Sequence, residues 1–382
     1  MKSFGEFFRR LLAPRIDYQP LVEIRISRSA LLNNFDAFKN RWFNLSFAPV
    51  LKSNAYGHGL ALTAKILAER RPVFFVVDSF YEALVLRREG IKTNILIIGY
   101  STLEQIQKSG LKNCAFTIIG METLRGLARD LKKPIHFHLK IDTGMSRQGI
   151  LPKEIPEAAA LIRTNQNIIL DGLCSHLADS DNSVGGLNDE QIKRWNEAAD
   201  FFKKEFPEIK YFHLAATPGA ALAEKIHANV CRLGLGLYGF NPVNAENLLL
   251  LRPVLEMRAA ISQVKEIPTG ATVGYGATFT ASRPTRLAII PAGYNEGVDR
   301  RLSNRGLFKI GDRFCPIVGR VSMNITVADA TDAPDVKTGD EAIIFSARLD
   351  DKNSITNVAK ICDTIPYEIL VHLPGYLRRT IV

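Results

Sequence analysis

The sequence is short of cysteine, of long apolar runs and of acid. Its five cysteines, at positions 114, 174, 231, 315 and 362, are scattered, odd in number and never spaced as CxxC. That argues against a disulfide framework and against a zinc site, so no metal is expected. It favours reduced thiols in a cytoplasmic protein. No apolar stretch approaches the ~18 residues that a membrane span needs. Acidic residues number 39 against 49 Lys and Arg, a formal charge of +10. This excess is the one compositional oddity, and it raises the question of an anionic partner. The rest is ordinary globular composition: 382 residues, 46% hydrophobic and 23% charged. Disorder, collagen and a bare coiled coil are excluded, and the length accommodates two or three domains.

The N-terminal stretch MKSFGEFFRRLLAPR is basic and amphipathic. Arginines interrupt its apolar part too soon for a secretory signal. A basic arm over residues 1–17 is expected. From residue 47 onward, short β-rich runs alternate with helix-like segments. The runs are FAPVL, VFFVV, ILIIG, AFTII, IHFHLKI, IILDGLC, YFHLA and VCRLGLGL, eight in all. Runs apolar on both faces suit parallel strands. The segments between them carry apolar residues at helical spacing beside charges. Eight β–α units predict an α/β fold, a (β/α)8 TIM-like barrel over residues 18–247. After residue 248 the pattern becomes strands divided by Gly, Pro and Asp turns, which predicts a mostly β C-terminal domain over residues 248–382. The alternating LVEIRI, residues 21–26, reads as a strand joining that second domain.

Chemistry in such a barrel sits beyond the C-terminal ends of the strands. The ends of the runs and the residues just beyond them include Lys52, Lys140, Arg147, His176, Thr217, Arg232 and Gly234. Taken singly, Lys52 is a solvated charge, His176 a structural histidine and Thr217 a helix cap. Their common register at one mouth argues for function. A lysine in a partly desolvated mouth forms Schiff bases. Hydroxyl and backbone N–H groups after the last two strands make a phosphate cup, and Gly234 allows close approach. A phosphate cup with a lysine suggests pyridoxal 5'-phosphate (PLP).

At these residues the sequence resembles the alanine racemase family of fold-type III PLP enzymes. The resemblance rests on VLKSNAYGHG, LKIDTGMSRQG, SHLADSD, RLGLGLYG, VGYGATFTA, PAGYNEGVDRRLSNRG, GRVSMN and PYEIL, in that order over both domains. It implies that Lys52 holds PLP covalently and acts as one catalytic base. Tyr275 would be the second, reaching into the site of a partner subunit in a homodimer with shared active sites. Tyr56, Tyr367, Thr217, Gly234 and Leu235 would hold the phosphate. Arg232 would face the pyridine nitrogen, with His176 beside the ring. Arg147, Met323 and Tyr294 would meet the substrate or line its entrance, and Lys140 matches a lysine carbamylated in some members. The implied activity interconverts L- and D-alanine, supplying D-alanine for peptidoglycan. Two bases on opposite faces are what inversion at an α-carbon needs. A tyrosine hydroxyl ordinarily ionises near pH ~10, so it needs cationic neighbours to serve as a base.

Four departures stand out. Asn324 replaces an aspartate, Gly274 a serine, AATPG an Ala-Asn-Ser pattern, and Asn295-Glu296 an Ala-Asp pair. Gly274 is expected to loosen Tyr275. Competing readings are a racemase of serine or of a broader range, and a non-catalytic PLP-binding homeostasis protein. The second domain argues against the latter. Basic pairs such as Arg70-Arg71 and Arg300-Arg301 are spread over both domains without a nucleic-acid motif, so no nucleic acid is expected as partner.

Overall fold

The computed structural model describes residues 18–180, 186–241 and 249–382. The basic arm expected over residues 1–17 lies outside the described residues, as does the expected domain boundary at residue 247.

The apolar runs do form strands, and the strands form a barrel. In chain order they are β2 (Ser46–Pro49), β3 (Phe75–Val77), β4 (Ile95–Ile97), β5 (Cys114–Ile118), β6 (Ile135–Lys140), β7 (Ile168–Cys174), β8 (Tyr211–His213) and β9 (Val230–Leu233). Strands β3 to β8 pair side by side as one parallel sheet. The circle closes because β2 pairs with β9, Val50 bridges Val76, and Ala216 bridges Arg232. Phe75, Val76 and Val77 are wholly buried, as expected of strands covered on both faces. Some outer helices start where polar side chains cap free N–H groups. Ser79 and Glu82 form a reciprocal capping box at α3 (Phe80–Arg88), following α1 (Arg28–Arg41) and α2 (Leu60–Ala68).

The C-terminal part is mostly β. Its main sheet runs β16-β15-β18-β10-β1-β19, where β1 is Val22–Ile26, β10 Leu255–Ala260, β15 Leu307–Ile310, β16 Arg313–Pro316, β18 Glu341–Phe345 and β19 Arg378–Ile381. The alternation in LVEIRI has its cause here. Val22, Ile24 and Ile26 face the core while β1 lies antiparallel to β10 and parallel to β19. A three-stranded sheet (β11 Gln263–Ile267, β14 Thr285–Ile290, β17 Thr326–Asp329) and a two-stranded ribbon (β12 Thr272–Val273, β13 Phe279–Thr280) complete it. One apolar core runs through both parts, including Ile24, Leu51, Val76, Leu255 and Leu370. No helix among the described residues is long and apolar enough to cross a membrane.

Candidate active site

The mouth of the barrel holds a cavity of about 480 Å³. Its walls include Lys52, Tyr56, Lys140, Arg147, His176, Thr217, Arg232, Gly234, Leu235 and Tyr367. Ten expected site residues thus share one cavity. Tyr275, Met323 and Tyr294 are not among its walls. They are 73%, 57% and 44% exposed on the C-terminal part.

Lys52 opens an unusual turn. Ser53, Asn54, Ala55 and Tyr56 all have φ between 51° and 56°, a left-handed turn built without glycine. Such backbone costs about 1–2 kcal/mol per residue. Local bonds hold it: Ala55 N–H donates to Leu51 O at 2.7 Å, Asn54 N–H to Glu82 Oε1 at 3.3 Å, and Leu60 N–H to Asn54 Oδ1 at 2.8 Å. Next comes Gly57 at φ 78°, where a Cβ would lie 2.1 Å from Leu370 O. The turn thereby rests on the C-terminal helix (Pro366–Val371), the element that brings Tyr367 to the mouth. The Tyr56 ring lies 5.8 Å from that of Tyr367 and 5.1 Å from that of Tyr238. Burial pushes the Tyr56 hydroxyl well above its ordinary pKa, keeping it a neutral donor.

The groups beside it come from the ends of the last two strands. Thr217 does not cap the turn after it. Its hydroxyl reaches β9 and accepts the Gly234 N–H at 3.0 Å. A Cβ at Gly234 would sit 3.1 Å from Tyr56 Oη, and one at Gly236 only 2.5 Å from Thr217 Cγ2. These glycines leave room where backbone N–H and two hydroxyls converge, which suits a phosphate.

Arg232 lies behind the cup, buried on β9 between Ala48 and Ala216. Nη1 donates to His213 O at 2.6 Å and His213 Nδ1 at 2.7 Å. Nη2 donates to Ser175 O at 2.7 Å, Leu214 O at 2.9 Å and His176 Nδ1 at 2.9 Å. None of these partners is a carboxylate. Nε–H has no protein acceptor among the described residues, and Arg232 lines the cavity. A guanidinium can only donate, so it offers a fixed donor and a full positive charge. Burial, together with the charges of Arg232, Arg147, Lys140 and Lys52, holds His176 down at about 3, a neutral imidazole. Burial and the nearby Arg232 and Arg147 also hold the Lys140 amine below the ordinary lysine range, and its Nζ donates to Gln148 Oε1 at 3.1 Å. The cavity is thus rich in cations, with Lys52, Lys140, Arg147 and Arg232 against Asp179. Such a donor set fits an anionic cofactor and a carboxylate substrate.

Two family models match the chain: alanine racemase, N-terminal domain, over residues 26–242, and alanine racemase, C-terminal domain, over residues 254–381. The chain belongs to the alanine racemase family. An alanine racemase of Carboxydothermus hydrogenoformans is 33% identical, over 94% of this chain and 99% of that protein. Alanine racemase 2 of Caldanaerobacter subterraneus is also 33% identical, over 91% of each. Among solved structures, the alanine racemase of Bacillus anthracis with bound L-Ala-P superposes with a TM-score of 0.88 at 26% identity, over 96% of each chain. That of the D-cycloserine producer Streptomyces lavendulae gives 0.86 at 27%, over 96% of this chain and 98% of that one. The chain is accordingly an enzyme of the racemase class on a (β/α)8 barrel with a mostly β second part.

The departures from this family's pattern acquire local causes. Tyr275 stands at the tip of the β12–β13 ribbon, between Gly274 and Gly276. Gly274 has φ 71° and ψ −171°, a region that glycine alone enters easily, so it shapes this turn. Asn324 and Glu296 prove to be partners: Asn324 Nδ2 donates to Glu296 Oε1 at 2.8 Å. Burial raises the Glu296 pKa, but bonds from Gly293 N–H, Asn295, Asn324 and Tyr376 outweigh it and hold the carboxylate below its usual range. Tyr294 N–H donates to Ser322 O at 3.0 Å and Asn295 N–H to Met323 O at 2.9 Å. The Tyr294 and Met323 loops are thereby joined into one surface.

Sequence reasoning passed over His213 and His138. Both sit inside apolar strand runs, YFHLA and IHFHLKI. A histidine at a core register of a parallel strand was the available signal.

Proposed function

We propose that this chain interconverts L- and D-alanine as a PLP-dependent homodimeric racemase of the cytoplasm, supplying D-alanine for peptidoglycan. The observation that carries the reading is the cation-rich cavity joining Lys52, the Tyr56–Tyr367–Thr217–Gly234 cup and a buried arginine without a carboxylate partner among the described residues.

When bound, PLP supplies an electron sink for the charge left on the substrate α-carbon. Lys52 holds the cofactor, and its amine moves a proton on one face of that carbon. Tyr275 of the partner subunit moves one on the other face. The exposure of Tyr275 at a ribbon tip supports this role, because a side chain used by another subunit must project from its own. The Tyr56 and Thr217 hydroxyls with the Gly234 and Leu235 N–H groups hold the phosphate, and Tyr367 closes over it. Arg232, whose Nε–H is free to donate, would face the pyridine nitrogen; a guanidinium holds its protons too tightly to pass one on, so the sink would stay weak. A weak sink favours racemisation over transamination and decarboxylation. His176 accepts from Arg232 and stays neutral beside the ring. Arg147 and the partner's Met323 N–H bind the substrate carboxylate, and Tyr294 guards the entrance. Lys140, as a carbamate, would turn a half-buried cation into an anion that orients Arg147.

Incubation with PLP and each L-amino acid, followed by chiral chromatography, tests the reading. D-alanine should form fastest, down to an equal mixture of enantiomers. Decarboxylation with unchanged handedness, or no turnover of alanine, would overturn it. Faster turnover of serine would make it a racemase of different preference.

A further inference from the structure

The contacts of Arg232 continue beyond the mouth. His213 Nδ1 accepts from Arg232, and on the other side of the ring His213 Nε2 lies 2.6 Å from His138 Nδ1. Because a guanidinium only donates, His213 Nδ1 must be bare and its proton must sit on Nε2. That proton points at His138 Nδ1, which must then also be bare, leaving the His138 proton on Nε2. One arginine thus dictates the tautomers of two buried imidazoles in series.

The backbone is built around this pair. The β6–β7 register shifts between Phe137 and His138. Opposite the ring stands Gly172, where a Cβ would lie 2.6 Å from His138 Nδ1. The His138 ring stacks on Tyr211 at 5.6 Å and meets Phe74 edge-on at 5.5 Å. His213 borders the mouth cavity, and His138 borders a second cavity of about 200 Å³ at the opposite end of the barrel. His138 Nε2 has no protein acceptor among the described residues.

We infer that His138 is a positioning residue for the reaction, acting through His213 to hold Arg232 Nε–H aimed into the mouth without neutralising its charge. A carboxylate in this place would also hold the guanidinium, but it would cancel the charge that governs the cofactor ring. Two neutral imidazoles hold it and leave the charge whole. The charged groups around the pair are Arg232 and Lys140 toward the mouth and the His136–Asp171–Lys210 cluster at the far cavity. Burial and these mouth cations disfavour protonation of His213, and burial with Arg232 holds His138 at about 3. The link to activity rests on the proposed racemase reading; the hydrogen-bond chain does not.

The test compares His138→Asn with His138→Leu in 15N-histidine-labelled holoenzyme. The two side chains branch alike at Cγ, but only Asn offers an oxygen near the lost Nδ1. Imidazole NMR from pH 5 to 8 should show wild-type His213 and His138 as non-titrating Nε2–H tautomers. His138→Asn should keep the His213 tautomer, and His138→Leu should mix it. With alanine, kcat should fall about tenfold in His138→Leu at nearly constant KM, roughly one lost hydrogen bond, and recover largely in His138→Asn. A wild-type Nδ1–H tautomer, titration of either imidazole in this range, or equal kcat and spectra for the two variants would overturn the inference. If the wild type fails to racemise alanine, the proposed function falls, and the NMR result alone decides the hydrogen-bond chain.

Discussion

In the proposed reaction Lys52 carries the heaviest burden of any single residue. Its replacement by alanine should lower alanine racemisation by about 10²–10⁴-fold, the usual worth of a positioned base, with an unchanged far-ultraviolet spectrum. The buried histidines make a second prediction. His176 and His138 lie at about 3 against an ordinary 6.5, and His213 is lowered as well. Their folded pKa values lie below the unfolded one, so the unfolded chain binds more protons under pH 6.5. Stability should therefore hold above pH 6.5 and decline as the pH falls toward 5. His138→Asn should flatten that decline, read as midpoint temperature against pH. Asn324→Asp tests the entrance. It would set a second carboxylate against Glu296 in place of a donor, costing about 1–3 kcal/mol in urea unfolding at pH 7 and less at pH 4. Residues of this kind differed in legibility. Lys52 and Arg232 could be read because each stands in a motif at the mouth. His138 and His213 stand within strands whose apolar neighbours mask them, and the Asn324–Glu296 pair joins positions that only the fold brings together.

At the scale of elements, strands were legible and turns were not. FAPVL and VFFVV announce buried parallel strands because both faces are covered; β3 lies within the second run and β2 overlaps the first, starting one residue earlier at Ser46. Nothing in Lys-Ser-Asn-Ala-Tyr announces four left-handed residues, since none is glycine. The conformation is held by contacts with Glu82, Leu60 and the C-terminal helix that these five residues do not display. Asn54→Ala removes the acceptor of the Leu60 N–H. It should cost about 1 kcal/mol of stability and lower kcat, because Lys52 begins the turn. Denaturant melts together with steady-state kinetics would measure both. Gly236 offers the contrasting case. An alanine there would force Thr217 and Phe38 apart, with contacts of 2.5 and 2.6 Å, and should weaken PLP binding in a spectroscopic titration.

At the scale of the molecule, the proposed reaction takes one base from the barrel and the other from the exposed ribbon tip of a neighbour. A solution of Lys52→Ala chains and one of Tyr275→Phe chains should each be nearly inactive. Refolded together, they should regain activity, because one of the two sites in a mixed dimer then has both bases. The +10 charge acquires meaning only at the mouth, where Lys52, Lys140, Arg147 and Arg232 converge. The other cations lie elsewhere, and many are paired on the surface, as Arg70 is with Asp36 and Arg125 with Glu157. The central claim, proton removal by one base and delivery by another, is tested most directly in heavy water. D-alanine released early from protiated L-alanine should carry deuterium at nearly every α-carbon. A large fraction of early product that retains its protium would mean that one group both takes and returns the proton, and would contradict the two-base mechanism.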